Sequence, residues 1–319
     1  MSAHRSLLGI EFAESKIRLA RTGAKPFTLS ASHAISVPKN AIVKGVVEDA
    51  AALAPLLSEA AASLLAHGNE CVVLIPSDIV HNFVVSIPAG NARPPLRMLL
   101  TEKLGEPSGS FTVVSHTLET TASETIIGVS AVRKQWLQQY LSICARAGLV
   151  VRAVSTAPAM ALANQKEKLS SPHMLLYVPS VDEKSTISTV RSGWIAHDTV
   201  MSAKRGFAKI FQTATTMMEA TDATAAIKHM LVHASDDAIT SAKKTFGAPK
   251  RKGGKVTVVR ALPVAEEDRV YAGALAASSC SPAALHFNLL QKSARSRKHL
   301  IALGLAVFAI VFIALMFVQ

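Results

Sequence analysis

Residues 300–318 restrict this chain more than any other feature, because nineteen consecutive positions carry no charge. At about 1.5 Å of rise per residue a helix of that length spans about 28 Å, close to the roughly 30 Å hydrocarbon core of a bilayer. The segment reads as one C-terminal transmembrane helix, with a helix buried inside a soluble protein as the alternative. Position excludes a secretory signal: the end from Met1 to Arg5 is polar and has no apolar stretch behind it. Lys292, Arg295, Arg297 and Lys298 crowd the N-terminal flank, whereas only Gln319 follows. That asymmetry predicts a single-pass membrane protein with its body in the cytoplasm and nothing folded on the far side.

The three cysteines, Cys71, Cys144 and Cys280, are far apart and odd in number. They suit a reducing compartment and have no metal or redox spacing. A net charge of +12 invites a nucleic-acid reading, but aromatic residues make up only 5% of the chain. Much of the excess lies in the membrane flank and in Lys243, Lys244, Lys250, Arg251, Lys252 and Lys255, a run broken by Gly247, Pro249, Gly253 and Gly254. The run reads first as a solvated loop, next as a contact for an anionic membrane surface, and last as a nucleic-acid site.

Before the flank, apolar runs at 7–12 and 17–20 predict strand, turn and strand, with a third strand near 27–37. Glu48 and Asp49 open an alanine- and leucine-rich helix to about residue 66, acids first as the helix dipole prefers. Strands at 71–75 and 79–87, a helix to about 104, and strands at 111–118 and 125–132 follow. A helix over 134–147 then places Trp136, Leu137, Tyr140, Leu141 and Cys144 on one face, and Gly148 stops it. A strand over 149–154 leads into a helix at Ala157-Pro158. From His173 the strand-turn-strand opening recurs, at 174–178, 185–190 and 194–200. A long helical stretch is predicted over 203–233, then a strand at 256–261 and a short helix at 266–276. This is the outline of an α/β protein with two related lobes.

Local patterns then resemble, in order, the actin-like pilus assembly protein PilM and the GspL cytoplasmic domains of type II secretion. Gly9-Ile10-Glu11-Phe12-Ala13-Glu14-Ser15-Lys16-Ile17 is similar to the family's opening strand and loop, and Val37-Pro38 through Gly45-Val46-Val47 to the stretch entering its inserted subdomain. Ile75-Pro76-Ser77 and Ile87-Pro88 resemble its paired strand ends. Ala147-Gly148-Leu149, Ala157-Pro158-Ala159-Met160 and Tyr271-Ala272-Gly273-Ala274 resemble later elements. The resemblance implies an actin-like (ASKHA, RNase H-like) two-lobed fold. Its expected divisions are a first lobe at 1–37 and 126–160, an inserted subdomain at 38–125, a second lobe at 161–277, a linker at 278–299 and the membrane helix at 300–318.

Phe287-Asn288-Leu289-Leu290-Gln291 followed by basic residues and an apolar helix is similar to the start of PilN, the bitopic partner of PilM; a featureless linker is the plain alternative. The resemblance implies that Phe287, Asn288, Leu289 and Leu290 dock as an extended peptide, in cis or in trans, in a groove beside the inserted subdomain.

Actin-like ATPases hold phosphate with two strand-turn-strand loops whose small residues expose backbone N–H groups and whose Asp side chains orient Mg²⁺ through water. Here the first-loop candidates are Gly9, Glu11, Ser15 and Lys16, but Glu11 stands where Asp is expected and Ala13 where Gly is expected. In the second loop, Leu175 to Asp182, Pro179 lacks a backbone donor and no Asp-x-Gly occurs; Asp182 is not counted as a replacement. The adenosine-side Gly-Gly helix start is not visible, since Gly253-Gly254 precedes a predicted strand. No cofactor is therefore expected, with residual binding of ATP and Mg²⁺ at the first loop as the alternative.

Other signatures fail. Gly253-Gly254-Lys255 is not a P-loop, and there is no Gly-x-Ser-x-Gly elbow. His229 and His233, one helical turn apart, lack a third ligand and read as a surface pair rather than a metal site. The expected function is a non-catalytic assembly-platform protein with PilN- and PilO-like partners, an assembly ATPase, and self-association as a further option. A polymerising, ATP-binding actin-like protein of the FtsA kind and a degenerate kinase of the same superfold are the competitors.

Overall fold

The structure, a computed structural model, describes residues 7–23, 25–64, 69–89, 96–165, 173–180, 183–202, 206–220, 227–247, 256–279 and 288–290. The chain divides into a unit at 1–289 and a unit at 290–319. The apolar segment 300–318, its basic flank, Phe287, Asp182 and Gly253-Gly254 lie outside the described residues. Among those described, no helix is long and apolar enough to cross a membrane.

The first sheet begins with β1 (Leu8–Phe12), β2 (Lys16–Thr22) and β3 (Leu29–Ser36). A two-strand hairpin, β4 (Ile42–Val43) and β5 (Val46–Val47), precedes helix α1 (Ala50–Ala62) and strand β6 (Glu70–Leu74). A small subdomain follows, made of β7 (Val80–Pro88), α2 (Leu96–Leu104), β8 (Phe111–Thr120) and β9 (Glu124–Arg133). The chain returns through α3 (Lys134–Arg146), β10 (Val150–Ser155) and α4 (Ala157–Ala163). The second lobe comprises β11 (His173–Tyr177), β12 (Ser185–Arg191), β13 (Trp194–Met201), α5 (Gly206–Ala220), β14 (His229–His233), α6 (Asp236–Phe246) and β15 (Thr257–Arg260). Helix α7 (Ala272–Ser278) closes the fold.

Each lobe repeats one topology. The first sheet runs β10-β6-β1-β2-β3 and the second β13-β12-β11-β14-β15, so an antiparallel three-strand meander is extended by two parallel strands in both. Both parallel additions need helical crossovers, which α1, α3, α5 and α6 supply.

Period-two alternation sorts β1 into two faces. Phe12 meets the ring of Tyr140 on α3 edge-on, while Gly9 and Glu11 lie beneath α7. A Cβ at Gly9 would stand 1.7 Å from the carbonyl oxygen of Ala274, so only glycine lets the α7 backbone rest on the strand. In the second lobe Met174, Leu176, Met230 and Val232 pack against Phe211 of α5 and Phe246 of α6. Side chains cap two of the helices: Asp49 accepts from the Ala52 N–H at the start of α1, and Thr156 does the same for α4 through the Ala159 N–H.

Four expectations change. Residues 38–125 are not one insert, because β6 lies in the middle of the first sheet between β1 and β10; the separate sheet is β7-β9-β8, with α2 on its satellite core of Val85, Leu100 and Val129. The second lobe does not extend to 277, since α7 packs on β1, β2 and β6. The helix expected over 203–233 does not run through: α5 is described over Gly206–Ala220, and His229–His233 is a strand. Finally, α3 buries Leu137, Tyr140, Ile143 and Cys144, whereas Trp136 is half-buried beneath the Arg133 guanidinium, 4.9 Å from its ring centre.

Candidate functional site

The turn between β1 and β2 faces the turn between β11 and β12 across a cleft of about 230 Å³. Glu11, Glu14 and Ser15 line it from the first lobe, Pro179, Glu183 and Lys184 from the second. Of the four first-loop candidates, Glu11 and Ser15 reach this cleft. Gly9 serves the contact with α7, and Lys16 is exposed at the start of β2.

Beneath the cleft a polar chain crosses from one lobe to the other. Arg18, the cross-strand partner of Glu11, is 2% exposed and donates to Glu183 of the second lobe, with its other terminal nitrogen 3.9 Å from Glu11. Tyr177 donates to Glu11 Oε1 at 3.2 Å and stacks on His233, its neighbour in register, with ring centres 4.9 Å apart. Gly273 leaves room for this group: a Cβ there would stand 2.6 Å from Glu11 Oε2 and 2.8 Å from the Tyr177 oxygen. Burial raises the Glu11 pKa to about 7, although the Arg18 charge pulls it down. Burial also holds the His233 pKa down at about 3, with the Arg269 and Arg260 charges adding to the effect. The expected surface histidine pair is thus corrected: His233 is a neutral ring in the core, and among the described residues no acid, histidine and cysteine cluster is placed to hold a metal.

Higher in the cleft the Lys184 ammonium lies 2.6 Å from Glu14 and 2.9 Å from Asp78. Burial opposes its charge, but these two carboxylates keep its pKa above the ordinary lysine value. Four carboxylates therefore face one another here, and their counter-ions are the two cations Arg18 and Lys184. Three backbone donors of the two turns are engaged as well. The Ala13 N–H donates to the Lys16 carbonyl, the Val178 N–H to the His233 carbonyl and the Glu183 N–H to the Ser180 carbonyl, and Pro179 has none.

The subdomain is also fastened to the second lobe. Asn82 of β7 donates to Asp198 of β13 at 3.0 Å and accepts from Ser130 at 2.6 Å, and Trp194 of β13 packs flat against Gly128 of β9. Burial raises the Asp198 pKa to about 6, partly opposed by the Asn82 hydrogen bond.

A second site lies at the outer edge of the first sheet. Strand β10 is an edge strand, and the bonds of Val150 and Ser155 run toward the β6 side. The intervening Val154 N–H donates to Asn288 Oδ1 at 3.1 Å, while the Leu289 N–H donates to the Val154 carbonyl at 2.8 Å. Leu289 is 2% and Asn288 8% exposed. Burying the leucine contributes about 2 kcal/mol and the two bonds about 1 kcal/mol each, against about 1–2 kcal/mol per residue for ordering the backbone. The contact is therefore only just favourable on its own. The peptide partner is β10 rather than the 80–133 subdomain, which moves the expected groove to the sheet edge.

Sequence reasoning did not find Arg18, Tyr177, Glu183, Lys184 or Val154. Arg18 and Arg21 inside the otherwise apolar run of β2 were the readable signal, because a charge at a wholly buried strand position requires a partner.

Two lobes of one topology, joined over a cleft between their hairpin turns, define the actin-like fold. Among solved structures, the chain is similar to the PilM–PilN type IV pilus biogenesis complex, at 15% identity and a TM-score of 0.63 over 90% of this chain and 99% of that one. It is also similar to the cytoplasmic domain of EpsL, an inner-membrane component of the type II secretion system of Vibrio cholerae, at 14% identity and a TM-score of 0.54 over 90% and 98%. No protein-family profile matches the sequence, and no curated protein matches it.

Proposed function

We propose that this chain is a non-catalytic assembly-platform component of a type IV pilus or type II secretion-like machine, held at the bacterial inner membrane by residues 300–318. The observation that carries the non-catalytic part is the internally paired cleft: Lys184 stands between Glu14 and Asp78, and Arg18 between Glu11 and Glu183, where an actin-like ATPase needs room for Mg²⁺ and phosphate. The likeness to PilM and EpsL supports the assembly role, with a PilN-like inner-membrane protein as the first partner to test. An assembly ATPase and a second copy of this chain are further partners in this reading.

With the lobes tied through Arg18, Tyr177 and Asn82, the body acts as a preformed surface rather than a nucleotide-driven hinge. The test is binding of fluorescent ATP, with and without Mg²⁺, to the full chain in detergent. No saturable binding below millimolar nucleotide is expected. Tight Mg²⁺-dependent binding, or ATP-dependent pelleting, would overturn the reading in favour of a polymerising ATPase.

A further inference from the structure

We infer that the β10 edge is a strand-docking site which the chain fills with its own Asn288-Leu289 strap, closing that edge to the same segment offered by another protein. The inference rests on the reading that this chain works through surfaces. Its own support is geometric.

An edge strand whose outward N–H and C=O groups are unpaired is a template for another strand. At Val154 both outward groups are engaged by the strap, the N–H by the Asn288 side-chain carbonyl and the C=O by the Leu289 N–H. The amide of Asn288 thus stands in for a backbone carbonyl, and the leucine beside it fills a fully covered position. A docked segment of this kind needs Asn followed by Leu: aspartate in the same place would bury a charge, and a shorter apolar residue would leave the leucine position unfilled.

The strap is joined to the end of α7 through residues 280–287. A short tether of this sort sets a local concentration in the millimolar range, so a weak contact stays occupied. A free peptide of the same sequence must then compete against that concentration. The edge is consequently closed at ordinary partner concentrations and opens when the strap is pulled away or altered.

The experiment uses the full chain in detergent and a fluorescein-labelled peptide with the sequence His-Phe-Asn-Leu-Leu-Gln. The variant Asn288→Ala with Leu289→Ala should bind this peptide at least tenfold more tightly than the wild type. Adding Val154→Pro, which keeps an apolar residue and removes the outward N–H, should return binding to the wild-type level. Equal binding to wild type and strap variant, no binding to either, or indifference to Val154→Pro would each overturn the inference. Because Val154→Pro disturbs a buried position, a second arm places a photo-crosslinking residue at Leu290 in the otherwise unchanged chain. Capture of β10 within the same chain is expected, and a crosslinked dimer would mean that copies exchange straps and would overturn filling in cis. ATP binding in any of these variants would instead count against the non-catalytic reading and leave the strap result standing.

Discussion

In the first lobe β1 lies between β2 and β6, and in the second β11 lies between β12 and β14; counted from the last parallel pair, Gly9 is the counterpart of Leu175 and Glu11 of Tyr177. These equivalent positions have diverged in opposite ways. Where the first lobe has a glycine that admits the α7 backbone, the second has a fully buried leucine. Where the first has a carboxyl group, the second has a phenol, and the two meet across the lobe boundary at 3.2 Å. One topology has thus produced two halves that complement each other, with α7, α4 and the polar chain as the joint. Side chains of both lobes meet at that joint.

The largest expected disturbance of this joint is Arg18→Ala. It leaves Glu183 and Glu11 buried without their cation, and removing one partner from a buried ion pair costs about 3–5 kcal/mol. Urea denaturation of the full chain in detergent should show that loss, whereas a change under 1 kcal/mol would mean that the joint is not where the lobes are held.

Next in size is the pH dependence brought by Glu11. Its native pKa, raised to about 7 from 4.5, gives it stability that is complete below the ordinary carboxyl range and lost as pH rises through 7. Over that window the wild type should lose about 3 kcal/mol relative to Glu11→Gln, which does not titrate. Melting temperatures from pH 5 to 8 give the comparison: the gap should shift toward the variant with rising pH, and parallel curves would rule out a raised Glu11 pKa.

A smaller effect is expected from Gly9→Ala, which inserts a methyl group against the Ala274 carbonyl and pushes α7 from the sheet at a cost of about 1–3 kcal/mol. Hydrogen exchange should rise in α7 and not in α5 or α6, the helices on the other lobe. Uniform loosening of both lobes would show that α7 is not specific to the first.

Much of the fold was legible where local physics acts alone. The apolar runs of β1 and β2, the acidic start of α1 and much of the apolar face of α3 each declare themselves within a dozen residues. The strand β14 did not, because His-Met-Leu-Val-His is short and largely buried, with neither a helical nor a two-residue period to separate it from the helix before it. The insertion of β6 between β1 and β10, and the return of α7 to the first sheet, are long-range pairings invisible in local pattern.

The same division holds for the sites. By itself the sequence determined the paired strand-turn-strand loops, the departures at Glu11, Ala13 and Pro179, and the Asn288-Leu289 segment, because residue chemistry at fixed spacing does not depend on neighbours. Only the tertiary structure decided that Lys184 reaches Glu14 and Asp78, that Tyr177 bonds Glu11, and that the strap lies on Val154. Those contacts join residues more than a hundred positions apart, and their energies come from burial, hydrogen bonding and shared charge, which exist only once the chain has folded.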